Sequence, residues 1–220
     1  MLLRELRAAR EPLRLVLAYK ALSRSPKGTA GVMVIPGYST NDAAMTPLRT
    51  FLTGRGHRVW GWGLRTNRGD VAGMLDAVVD QVAMRVMANG GEPIALVGWS
   101  LGGVFAREVA RDRPDLVSQI ITMATPIYGG PRYTVSARNY SHEAITEIEA
   151  TIAERNTRLI EHEITAFYSK LDGALDWRTC IDDLNPNVEM IEIDSSHLGI
   201  TLDPVVWTKI AQRLAPQKRR

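Results

Sequence analysis

The chain has 220 residues, of which 45% are hydrophobic and 23% charged, with a formal charge of +3, so it reads as one domain, residues 1–220, long enough to bury a sizeable core. Its basic residues are spread out, densest at Arg4, Arg7, Arg10 and Arg14 and again at Lys218, Arg219 and Arg220; without a tight cluster and interleaved aromatics they argue against a nucleic-acid binder and leave only a weak attraction to anionic surfaces. The single cysteine, Cys180, excludes an internal disulfide, and His57, His142, His162 and His197 lack the spacing of zinc ligands.

Leu2, Leu6, Ala9, Leu13 and Val16 recur at helical spacing with arginines between them, which predicts an amphipathic helix over residues 2–22. Its expected place is packed on the domain surface, the alternative being an element that caps a substrate site. Arginines interrupt this segment and no small-residue cleavage pattern follows, so it is not read as a signal peptide. No apolar run is long enough to span a bilayer, and the expected location is the cytoplasm.

Gly31 to Ile35 is a short apolar run without alternation, as in a strand buried on both faces of a parallel sheet. A helix is predicted over 42–54 with Asp42 as its cap, a strand over Arg58 to Trp62, and a helix carrying Val71, Met74, Leu75, Val78, Val82 and Val86 that stops at Asn89-Gly90-Gly91. Ile94 to Val97 is a strand, 101–112 a helix, and Val117 to Met123, Ile164 to Tyr168 and Val188 to Ile193 are strands. Val205 to Leu214 is the last helix. The alternation implies an α/β fold with an open, doubly wound, mostly parallel six-stranded sheet. Residues 127–163 hold no strand candidate. They read as a helical insertion with Ile145, Ile148, Ile152 and Leu159 on one face, a short lid.

The chemistry centres on Gly98-Trp99-Ser100-Leu101-Gly102, which follows a buried strand and opens a helix. That context turns a bare G-x-S-x-G into a nucleophile elbow with Ser100 at its tip. Ser100 sits where a dinucleotide fingerprint needs its second glycine, and no Gly-Lys-Ser/Thr occurs, so phosphate-binding readings fail. A serine hydroxyl needs a base. In elbow-bearing folds the acid and then the histidine follow the serine in the chain, the histidine after the last strand. His142 and His162 fall in the insertion. His197, in Asp194-Ser-Ser-His-Leu-Gly, is where the base belongs. The acid candidate is Asp172, before Gly173 and after the preceding strand, with Asp176 as the alternative. Asp182 and Asp183 read as solvated loop charges, and Asp194 as a residue that caps or orients the His197 loop. Two N–H groups are expected to form an oxyanion hole, those of Leu101 and, beyond Pro36-Gly37, of Tyr38.

Val34-Ile-Pro-Gly-Tyr38, Gly98-Trp-Ser-Leu-Gly-Gly103, Tyr168-Ser-Lys-Leu-Asp-Gly173 and Ser196-His-Leu-Gly199 together resemble the α/β-hydrolase superfamily, and within it small bacterial esterase- and lipase-like members. Thr125-Pro126 is similar to the Thr-Pro-His of lipases, with Ile127 in place of the histidine, and Pro36-Gly37 stands where His-Gly is usual. The resemblance implies a cofactor-free carboxylic-ester hydrolase acting on a small-molecule ester. Acyl transfer, thioester or lactone cleavage by the same residues, or a non-enzymatic binding module, remain the alternatives. A dehalogenase would need a carboxylate at position 100.

Overall fold

Apolar strands with helix-length connections can bury both faces only as a parallel sheet between two helical layers. A computed structural model describes residues 2–216, without the side chains of residues 2–4 and 7, so Leu2, Arg4, Arg7 and the basic Lys218, Arg219 and Arg220 lie outside the described side chains. Six strands form one sheet: β1 (Gly31–Ile35), β2 (Arg58–Gly61), β3 (Ile94–Trp99), β4 (Val117–Met123), β5 (Ile164–Tyr168) and β6 (Val188–Glu192). Their order is β2-β1-β3-β4-β5-β6, and all the pairs are parallel.

The period of two within β1 explains the two cores. Val32 and Val34 point to the face covered by α3 (Thr46–Gly54) and α7 (Pro204–Leu214), through Leu48, Leu52, Trp207 and Ile210. Met33 and Ile35 point to the face covered by α4 (Val71–Ala88) and α5 (Leu101–Asp112), through Val78, Val82, Phe105 and Val109. The chain leaves β1 toward β2 on one side and returns as β3 on the other. The loops after β1 and β3 therefore diverge at a topological switch point, where open α/β sheets form their crevice.

Three expectations change. The helix over 42–54 is a 3-10 turn, Asp42–Met45, followed by α3, and Asn41 rather than Asp42 caps it by accepting the Ala43 N–H at 2.9 Å. Asp42 instead accepts the N–H of Trp62 at 3.0 Å and of Gly63 at 3.2 Å beyond β2. In the insertion, α6 (His142–Arg155) keeps Ile145 buried but ends before Leu159, which is 54% exposed, and Ile160 fills the core instead.

The third change is at the N-terminus, where one amphipathic helix becomes a 3-10 segment, Leu2–Arg10, then α1 (Glu11–Leu17) and α2 (Tyr19–Leu22). Pro12, at the start of α1, cannot continue a hydrogen-bonded helix from the preceding turn. The segment packs on the domain with its polar side inward. Glu11 is fully buried and Arg14 bridges it at 2.6 Å to Asp203 at 2.9 Å, while Leu6, Leu13 and Val16 face solvent, Leu13 being 62% exposed. The side that faces the domain combines this ion pair with Leu15, Ala18 and Leu22, which pack on the core. Among the described residues no helix is long and apolar enough to cross a membrane.

His57, at the entrance to β2, is buried, and burial pushes its ring below the ordinary histidine value of 6.5. The unfolded chain then takes up a proton as the pH falls through about 6.5, while the folded chain does so only at lower pH. Stability from this group is therefore complete above that value and lost as the pH falls. The melting temperature is expected to drop between pH 7.5 and pH 5.5, and the drop is expected to shrink in His57→Leu. An equal drop in both proteins would assign it elsewhere.

Candidate active site

At the end of β3 the chain reverses into α5 with no intervening loop. A turn that tight leaves no room for side chains on its flanks. A Cβ on Gly98 would collide with the backbone of Gly102 and Gly103, and one on Gly102 with the carbonyl of Ile35 on β1. Ser100, between them, adopts φ 52° and ψ −121°, a conformation that costs a non-glycine residue roughly 1–3 kcal/mol. A serine at a helix N-cap usually accepts an N–H from the first turn. Ser100 makes no such bond, so its hydroxyl is not used in capping. Its N–H donates to the Met123 carbonyl at 2.7 Å, which ties the elbow to β4.

Asp172 follows β5 and is 3% exposed. One carboxylate oxygen, Oδ1, accepts the N–H groups of Ala174 at 2.7 Å and Leu175 at 2.9 Å, and these fix the side chain. The other, Oδ2, lies 2.7 Å from His197 Nδ1. His197 is itself buried, beside the elbow. The Trp99 indole N–H donates to the His197 carbonyl at 3.1 Å, and the two rings lie 5.5 Å apart. Of the three segments predicted to meet, the structure thus joins Asp172 to His197 directly and His197 to the elbow through Trp99. No hydrogen bond closes from Ser100 Oγ to the His197 ring among the described residues. Such bonds are often long in unliganded sites and tighten around substrate.

Two N–H groups just past the ends of β1 and β3 have no backbone partner among the described residues. Leu101 is the first residue of α5, whose opening N–H groups have no intrahelical acceptor. Tyr38 lies in the loop after β1, and its N–H makes no backbone bond among the described residues. That loop is held by Asn67, which is fully buried and which the sequence did not single out. Asn67 donates its amide to the Pro36 carbonyl at 2.9 Å and accepts the Ser39 N–H on its own carbonyl at 2.7 Å.

The remaining candidates separate. Asp176 caps the turn Trp177–Cys180, accepting the Arg178 N–H at 3.1 Å. Asp182 is not a solvated charge. It is buried against Arg107 at 2.6 Å; burial pushes its carboxyl up, but the Arg107 charge and bonds from Arg107 and Asn185 outweigh that and hold it below the usual range. Asp183 accepts from the Tyr128 hydroxyl. Asp194 is exposed, and besides the Trp99 bond the His197 loop is held by Glu5, far away in the sequence, which accepts the N–H groups of His197 and Leu198. Burial, followed by the nearby Asp172 charge, pushes the Cys180 thiol far up, so it is not a second nucleophile. His142 opens α6, and His162 Nε2 lies 3.1 Å from the Pro114 carbonyl.

The segment 127–163 touches the loop after β1 and the loop after β5. Asn139 donates to the Tyr38 hydroxyl at 3.3 Å, the Val135 N–H donates to the Ala174 carbonyl at 2.8 Å, and Thr134 bridges to Leu175. It is pinned to α5 by polar contacts, Arg155 to Asp112 at 2.8 Å and Arg111 to Asn156 at 2.6 Å.

Residues 35–159 match the sequence profile of the alpha/beta hydrolase fold family. Over 136 residues the chain is 29% identical to a pimeloyl-[acyl-carrier protein] methyl ester esterase from Aliivibrio salmonicida, covering 61% of this chain and 50% of that protein. A protein of the same name from Aliivibrio fischeri is 39% identical over 57 residues, which cover 26% of this chain and 22% of that protein. The chain thus spans half or less of the length of these curated relatives. Among solved structures, one from a study of the metagenome-derived lipolytic enzymes LipS and LipT is 16% identical with a TM-score of 0.63, covering 86% of this chain and 95% of the other. A thermophilic esterase from Thermogutta terrifontis is 18% identical with a TM-score of 0.60, covering 86% and 90%. At these identities the solved structures share the fold.

Proposed function

The chain belongs to the alpha/beta hydrolase fold family, and from that premise we propose that it is a carboxylic-ester hydrolase working through an acyl-enzyme on Ser100, with His197 as base and Asp172 as acid. The observation that carries this reading is the 2.7 Å bond from Asp172 Oδ2 to His197 Nδ1 beside an elbow whose serine hydroxyl caps nothing. The relatives named as esterases support the ester as substrate class.

In this mechanism Asp172 keeps the proton of His197 on Nδ1, leaving the Nε2 lone pair to accept the Ser100 proton as Oγ attacks the acyl carbon. The N–H groups of Leu101 and Tyr38 take the charge that develops on the carbonyl oxygen. Collapse breaks the ester bond, and His197 returns its proton to the departing alcohol. Water, deprotonated by His197, then attacks the acyl-serine and releases the acid. No cofactor enters. A fluorophosphonate probe tests the reading: an adduct on Ser100 supports it, and an adduct elsewhere or none overturns it. Adding a competing alcohol to the turnover assay separates hydrolysis from acyl transfer.

Residues 127–163 form the roof of the acyl pocket in this reading, supported by their contacts to Tyr38 on one side and to Ala174 and Leu175 on the other. A roof pinned by arginine contacts, with Glu143, Glu147, Glu154 and Arg158 outward, offers little apolar surface to an oil droplet. Each buried methylene of the acyl chain adds about 0.8 kcal/mol until the pocket ends. KM is therefore expected to fall with acyl length over short-to-medium soluble esters and then level off. Initial rates should show no jump as a triglyceride passes its solubility limit; a sharp jump there, with weak activity on soluble esters, would identify a lipase.

A further inference from the structure

The Asp172–His197 bond depends on two loops that follow different strands, β5 and β6. Beyond the strand ends, Trp99 on β3 holds the His197 carbonyl but makes no hydrogen bond to the Asp172 loop among the described residues. The N-terminal segment supplies a link. Glu5 reaches over both loops with one carboxylate: Oε1 accepts the N–H of Gly173 at 2.8 Å and the N–H of His197 at 3.0 Å, and Oε2 accepts the N–H of Leu198 at 2.9 Å. Gly173 is the residue after Asp172, so the carboxylate holds the backbone of the acid's neighbour and that of the base at once.

Three N–H donors converging on one carboxylate make charge-assisted bonds, about twice as strong as neutral ones. The segment that presents Glu5 is anchored independently. Farther along the strap Arg14 pairs with both Glu11 and Asp203, and Glu11 packs on the turn Gly199–Leu202, where a Cβ on Gly199 would lie 3.1 Å from Glu11 Cγ. Removing the charge of Glu5 therefore leaves the strap in place and changes the clamp alone.

We infer that Glu5 is a positioning residue that clamps the Asp172 loop to the His197 loop and so sets the acid–base geometry, an inference that rests on the proposed roles of Asp172 and His197. A glutamine keeps the shape of Glu5 but has one oxygen. With that oxygen on Gly173 and His197, its amide nitrogen faces the Leu198 N–H, donor against donor, and the loop must shift.

The test compares Glu5→Gln with Arg14→Gln, which weakens the anchor but not the clamp. Each is assayed for kcat and KM on p-nitrophenyl butyrate, for melting temperature, and by proton NMR for the His197 Nδ1–H in its bond to Asp172. Glu5→Gln is expected to lower kcat about tenfold or more with KM within about twofold, and to shift or broaden the Nδ1 proton signal. Arg14→Gln is expected to lower the melting temperature while keeping kcat and the signal. Wild-type kcat and an unchanged signal in Glu5→Gln would overturn the clamp, as would losses of kcat that simply track melting temperature in both variants. The NMR readout needs no turnover. A failure of the catalytic reading, seen as an active Ser100→Ala, is therefore distinguishable from a failure of the clamp.

Discussion

Ser100→Ala is expected to fold like the wild type and to lose at least about three orders of magnitude in kcat on a soluble ester. The fold is spared because the hydroxyl caps no helix and its loss strands no donor of α5. Alanine also inherits the same positive φ as serine, so the strain at the elbow is unchanged rather than relieved. The loss is large because no other hydroxyl can replace Oγ at the elbow, and what survives is the contribution of the N–H groups and of binding. Parallel thermal melts and progress curves read both halves of the statement. A variant that keeps even a tenth of wild-type turnover would remove Ser100 from the mechanism.

Asp172→Asn is expected to lower kcat by at least about a hundredfold with little change in fold. The amide oxygen can still accept the Ala174 and Leu175 N–H groups that hold the side chain. Its NH2 group then faces His197 Nδ1. Two donors cannot meet there, so the imidazole turns to the tautomer with its proton on Nε2, and the lone pair no longer points to the serine. Asp176→Asn should stay near the wild type, since Asp176 only caps a short turn. Comparable losses in both variants, or a larger one at Asp176, would reassign the acid.

The sheet was legible because a buried parallel strand is a short, unbroken apolar run, and Gly31–Ile35, Val117–Met123 and Ile164–Tyr168 have the bounds expected from such runs. The elbow was legible for a similar reason: its glycines are demanded by local backbone crowding, so the pattern is contiguous. Asp172 and His197 could be singled out because each stands just past a strand end. The residues that were missed answer to distant partners. Asp182 and a solvated loop aspartate look alike in sequence, and only the approach of Arg107 from α5 makes the difference. Glu5 carries no local pattern either, since its acceptors' partners lie 168, 192 and 193 residues away. The N-terminal stripe misled because helical periodicity reports an apolar face without saying whether the domain lies on that side. There Glu11 and Arg14 hold the opposite side down.

The 192 residues between Glu5 and His197 also bear on the order in which the molecule comes together. The core strands and the elbow can form from residues 31–123, a stretch with moderate spans between its contacts. The Asp172–His197 pair cannot. It waits for β5 and β6 to add at one edge and for the segment that carries Glu5 to be captured by the loop after β6. Closing so long a loop yields nothing until its final bonds form, so such contacts come late in folding. By the same token they are among the first to open when stability is lost. If the proposed roles of Asp172 and His197 hold, thermal inactivation is expected to precede loss of the sheet, which parallel activity and circular-dichroism melts would read.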